Sequence, residues 1–232
     1  MNLRVLLLPV LFASAIYAEA TPPASDAIVE NYCAATKRQA EFLNGASMDV
    51  EISGFIPKLK KYGRLYGLRH ITNFGRITYD ALRFQGDDTV KRNVIAKYLQ
   101  AEEQGQQDAS MAVTPENYKF KYKGRTLLEG RETHRFEVTP KKKSQGLYRG
   151  ELWVDAATFL KVQESGRLVK NPSMMLRRVE FVRKYEICNG VSVPRQMQTV
   201  AEAWLVGKAE LTVDYTNFSF EAKRASLTDE DQ

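Results

Sequence analysis

LRRVEFVRKYEIC (176–188), VSVPRQMQTVAEAWLV (191–206) and AELTVDYTNFSF (209–220), joined by Asn189-Gly190 and Gly207-Lys208, decide the fold of this chain. Each run mixes apolar and polar residues at the two-residue period of a strand with one buried face. Asn-Gly accepts positive φ at both central positions of a type I′ turn, and Gly-Lys suits a two-residue type II′ loop. Residues 176–220 therefore read as a three-stranded antiparallel meander.

The pattern continues upstream. Tyr118–Tyr122, Thr133–Pro140, Leu147–Val154 and Phe159–Gly166 read as further strands, with Asp155 accepting a backbone N–H in the turn Asp155-Ala156-Ala157-Thr158. Nearer the N-terminus, Met48–Ile56, Tyr62–Ile71 and Arg76–Phe84 read as three more, with turns near Pro57 and at 73–75. Two helical stretches interrupt the strands. The first is capped by Ser25 or Asp26 and stops near Gly45, with Ile28, Tyr32, Ala35 and Phe42 at helical spacing. The second runs from about Asp88 to Gln104, capped by Asp87 or Asp88, with Val90, Val94, Ile95, Tyr98 and Leu99 on its apolar side.

About ten antiparallel strands do not stay flat and open. The expected fold class is α+β: a curved antiparallel sheet of about ten strands forming a half-barrel, covered on its concave side by one or two helices. Phe136, Trp153, Phe181, Tyr185, Trp204 and Tyr215 all fall mid-strand. They either line an apolar groove on the concave side or fill a solid core.

Residues 1–20, MNLRVLLLPVLFASAIYAEA, read as an export signal: Arg4, an apolar run too short to span a bilayer, then small residues permitting cleavage after Ala18 or Ala20. Residues 21–224 read as a single domain and 225–232 as a polar, disordered tail. No cysteine stands at the cleavage region and no later apolar stretch reaches spanning length. A soluble, monomeric periplasmic protein without a lipid or transmembrane anchor is the expectation.

The chain carries 34 Lys+Arg against 28 Asp+Glu, a net charge of +6. Outside the cytoplasm the available polyanions are anionic lipid head groups and envelope glycans, not nucleic acid. The short basic runs Lys58-Leu59-Lys60-Lys61 and Lys141-Lys142-Lys143 read as solvated loop or edge-strand charges. Cys33 and Cys188 either form a disulfide or are two small buried hydrophobes. A bridge would close a loop of about 150 residues and contribute roughly 4–5 kcal/mol. His70 and His134 stand alone, so neither a metal site nor a cofactor is expected. There is no G-x-S-x-G, H-E-x-x-H, P-loop or dinucleotide-binding motif, and the chain is not read as an enzyme.

Gly150-Glu151-Leu152-Trp153-Val154-Asp155-Ala156-Ala157-Thr158-Phe159 and Val179-Glu180-Phe181-Val182-Arg183-Lys184-Tyr185, behind an export signal and an amphipathic helix, resemble the outer-membrane lipoprotein-sorting (LolA/LolB-like) superfamily. The likeness covers about residues 25–221. It implies a half-barrel whose apolar concavity holds lipid or lipoprotein acyl chains. It also implies a lid helix bearing Val94, Ile95, Tyr98 and Leu99, and a strand arginine contacting that lid, for which Arg64, Arg69 and Arg76 are equal candidates. The same resemblance admits a second reading, an envelope-stress sensor or regulatory module that binds a protein partner of the envelope.

Overall fold

A computed structural model describes residues 25–72, 75–105, 109–205 and 207–220; the export signal read over 1–20 and the tail over 225–232 lie outside them. Ten strands form one antiparallel sheet. They are β1 (Ala46–Ile56), β2 (Lys61–Ile71), β3 (Ile77–Gly86), β4 (Tyr118–Leu128), β5 (Arg131–Pro140), β6 (Tyr148–Asp155), β7 (Lys161–Leu168), β8 (Leu176–Cys188), β9 (Val191–Ala203) and β10 (Gly207–Phe220). Their order is β3-β2-β1-β10-β9-β8-β7-β6-β5-β4. The last seven strands run as one meander, and β10 then pairs with β1. The chain must therefore cross once from the β3 edge to the β4 edge, and a crossover of that length has to lie over a face of the sheet.

That crossover is helical. Asp87 caps α2 (Asp88–Val90) by accepting from the Thr89 N–H at 2.7 Å. A π-turn (Lys91–Ile95) leads on into α3 (Ala96–Gly105), with the Ala96 N–H donated to the Lys91 carbonyl. One helix was expected here; the wide turn within it is what the sequence pattern did not show. The other helix, α1 (Ser25–Phe42), precedes the sheet and packs on the same face. The expected curved half-barrel, with its helices gathered on one side, is the fold.

Turn chemistry accounts for most strand ends. Asn189 (φ 51°) and Gly190 (φ 79°) both take the left-handed conformation that a type I′ turn requires. Asp155 Oδ1 accepts from the N–H groups of Ala157 (3.2 Å) and Thr158 (2.7 Å), as read from the sequence, while Oδ2 receives Arg131 at 3.0 Å. Two ends differ from expectation by more than two residues. Tyr118–Tyr122 is only the first half of β4, which continues past an irregularity between Tyr122 and Arg125 to Leu128. The β9–β10 turn falls at Trp204 and Leu205 rather than at Gly207-Lys208, because Gly207 already pairs with Ala203.

Candidate functional site

Directly opposed residues of neighbouring strands share a face, so the register assigns every side chain to one side of the sheet. On the helix-bearing side, the β4–β8 half meets α1. Ile28, Val29 and Tyr32 of α1 are buried against Phe136, Val138, Tyr148, Leu152, Val154 and Phe181. The other half, β1, β2, β9 and β10, meets α2 and α3. There Val90 and Ile95 are buried on Ile52, Ile56, Leu65, Met197, Leu211 and Val213, with Val94, Tyr98 and Leu99 packed around them. The expected lid residues thus all sit on the crossover helix, seated on an apolar floor.

Two strand glycines shape that seat. A Cβ at Gly54 would lie 2.7 Å from Val90 Cγ1, and one at Gly63 would lie 3.1 Å from the same atom. The floor is notched where α2 presses closest.

A buried polar cluster fastens α3 at its far end. Arg69 of β2 donates from Nη2 to Glu102 Oε1 of α3 at 3.0 Å, with side chains only 7% and 17% exposed. Tyr98 donates to Glu102 Oε2 at 2.9 Å, Tyr79 of β3 donates to the same oxygen, and Tyr215 of β10 lies 3.1 Å from the Tyr98 hydroxyl. Burial opposes the Arg69 charge, but Glu102 and the surrounding tyrosines more than offset it and keep the guanidinium protonated. Burial also pushes the Tyr79 and Tyr98 hydroxyls upward, so both remain donors. Of the three candidate arginines, Arg69 is the one that contacts the crossover helix. Arg64 pairs with Glu51 at 2.9 Å on the opposite face, and Arg76 lies in the β2–β3 connection with its N–H on Thr72 Oγ1.

Between the two apolar patches the concave face is charged. Glu164 of β7, 3% exposed, accepts from Tyr148 (3.2 Å), Tyr185 (2.7 Å) and Arg183 (3.2 Å), with Lys161 at 3.6 Å. Burial alone would raise its carboxyl; Lys161 and Arg183 outweigh that and hold it down at about 2. The Arg183 side chain is still 47% exposed, so solvent reaches the edge of this cluster.

These positions correct part of the expected groove. Phe136 and Phe181 are core residues beneath α1, Tyr215 packs under the lid, and Tyr185 belongs to the Glu164 cluster. Trp153 lies on the other face: it opposes Arg135 and Gln163, whereas its neighbours Leu152 and Val154 point toward α1. Trp204 is 68% exposed in the β9–β10 turn, under the Arg177 guanidinium at 4.6 Å from the ring centroid. Cys33 and Cys188 are both free thiols, so the disulfide alternative does not hold. Glu102, Tyr79, Glu164 and Arg183 were not singled out by the sequence, since isolated polar residues within strands and helices carry no local signal. Among the described residues, no three His, Cys, Asp or Glu side chains group so as to hold a metal ion, and no helix is long and apolar enough to cross a membrane.

No protein-family model matches the chain, and no curated protein does. Among solved structures it is similar to a DUF1329 family protein from Desulfovibrio piger, at 15% identity and a TM-score of 0.46 over 84% of this chain and 94% of that one. It is similar to an outer membrane lipoprotein-sorting protein domain from Vibrio parahaemolyticus (12%, TM-score 0.44, 84% and 92%). A third likeness is to a LolA superfamily protein from Nitrosomonas europaea (13%, TM-score 0.39, 85% and 94%).

Proposed function

We propose that this protein is an exported, non-enzymatic binder of lipid or lipoprotein acyl chains, in which α2 and α3 form the lid and the floor beneath them is the acyl site. The observation that carries this reading is the seating of the crossover helix. It rests on an apolar floor of Ile52, Leu65, Met197, Leu211 and Val213 and is fastened by one buried ion pair, Arg69–Glu102. Lifting the helix would bare that floor, and an acyl chain is a chemically equivalent cover. Burying Val90 and Ile95 contributes about 1.5–3 kcal/mol each, while an acyl chain recovers about 0.8 kcal/mol per buried methylene. Six or so methylenes would therefore replace what those two side chains supply. Residues 1–20 support export, and the periplasm is the compartment we assign.

Native mass spectrometry with lipid extraction, on the protein purified from its own periplasm, tests the reading. Stoichiometric phospholipid or acylated peptide is the expected result. A clean apo mass that does not shift after incubation with phospholipid would overturn it.

A further inference from the structure

The antiparallel topology gathers four connections at one end of the half-barrel. They are the β1–β2 turn at 57–60, the β9–β10 turn, the β7–β8 loop at 169–175 and the β5–β6 loop at 141–147. In sheet order they follow one another along a single rim, an arc of roughly 30 Å at the usual strand spacing. Both basic runs of the sequence therefore converge there, although about 80 residues separate them. Lys58, Lys60, Lys141, Lys142 and Lys143 are all exposed, as are Lys170 and Lys208. The acids of this rim are fewer. Asp87 is engaged by Lys61 at 3.3 Å and by its capping bond, and Glu202 stands opposite Lys208 and Arg178, leaving Asp88 and Glu116.

In the middle of this basic arc the chain exposes four large apolar side chains. Met174 is 95% exposed, Met175 58%, Trp204 68% and Leu205 73%. They form one patch, because the Trp204 N–H donates to the Met175 carbonyl at 3.1 Å and ties the two loops together. The Arg177 guanidinium lies over the Trp204 ring. Contiguous exposed apolar side chains ringed by charge mark a binding surface rather than a random surface residue. Tryptophan, methionine and leucine insert readily into the head-group region of a bilayer, with flanking lysines meeting anionic phosphates.

We propose that this rim docks the protein on an anionic phospholipid membrane, with Met174, Met175, Trp204 and Leu205 entering the interface and the 58–60 and 141–143 lysines contacting head groups. The occupant is chosen by charge complementarity and by the interfacial character of the four apolar side chains. It does not depend on the acyl site, whose floor lies on the concave face beneath α2 and α3.

Vesicle co-sedimentation tests the assignment. The full mature chain is expected to bind phosphatidylcholine vesicles containing about one-third phosphatidylglycerol, and to lose that binding on neutral vesicles or in high salt. Each lysine near the surface contributes about fivefold in affinity, so replacing Lys141, Lys142 and Lys143 together with serine should weaken binding about a hundredfold. Trp204→Ser with Met174→Ser should weaken it at least tenfold on the order expected for lost interfacial burial. All these side chains are exposed, and an unchanged thermal midpoint confirms that the variants fold. In a Trp153→Phe background, emission comes from Trp204 alone and should shift to the blue on anionic vesicles. No co-sedimentation, equal binding to neutral vesicles, or binding with unshifted Trp204 emission would each overturn the proposal. So would capture of an acidic protein partner by the rim without vesicle binding. Lipid taken into the acyl site is read separately, as lipid still bound after the vesicles are removed.

Discussion

Arg69 on β2 and Glu102 on α3 meet at 3.0 Å, a buried ion pair that joins the crossover helix to the sheet. Removing one member of a buried pair costs about 3–5 kcal/mol, because the other charge is left without compensation. The helix is seated by few large side chains, so that cost should appear first as local opening. In Arg69→Met, amide exchange across 96–102 should accelerate about a hundredfold, with the strands of the sheet little changed. Exchange mass spectrometry checks this, and an Arg69→Met/Glu102→Leu double variant should recover part of the protection.

Gly54→Ala should loosen the same helix from beneath. The new Cβ would fall 2.7 Å from Val90 Cγ1, so α2 has to move. A loss of about 1–3 kcal/mol in urea unfolding is expected, the usual cost of overpacking. The loss should shrink in a Val90→Ala background, where the clashing methyl is gone.

Acid should unfold the protein through Glu164. Its carboxyl sits at about 2 in the folded chain against an ordinary 4.5, so on acidification the unfolded chain takes up the proton first. The stabilisation is complete above about 4.5 and is lost as pH falls toward 2, amounting to about 3 kcal/mol. Buried His134, held below its ordinary 6.5 by desolvation and by Arg125, adds a dependence of the same sign that begins at higher pH. Denaturant midpoints measured across this range should flatten between 4.5 and 2 in Glu164→Gln.

Both cysteines should titrate as thiols. Cys33 and Cys188 are half-buried, and burial raises each above its ordinary value, so alkylation at neutral pH should be slow. Denatured without reductant, the chain should take up two maleimides; none would indicate a disulfide.

Local chemistry was legible wherever a turn or a cap has a residue signature. Asn189-Gly190, the Asp155 turn and the Asp87 cap were all readable, and so were the strands and helices between them. The β9–β10 turn was not, because Trp204, Leu205 and Val206 prolong an apolar run without any turn residue. Trp153 was misplaced for a different reason. Leu152, Trp153 and Val154 are all buried, so the strand is covered on both faces and alternation no longer says which side is concave.

The sequence by itself determined the elements, two helical stretches and a strand meander, and carries none of the catalytic motifs sought. Only the tertiary structure decided which arginine pairs with the crossover helix, that the centre of the concave face is a charged Glu164–Arg183 cluster, and that both basic runs share one rim. The reason is register. Side chains repeat every two residues along any strand, so a one-residue shift moves the whole set to the other face, and nothing local distinguishes the two. Arg64 and Arg69 lie on the same strand five residues apart, yet pairing with β1 sends one toward Glu51 and solvent and the other beneath α3.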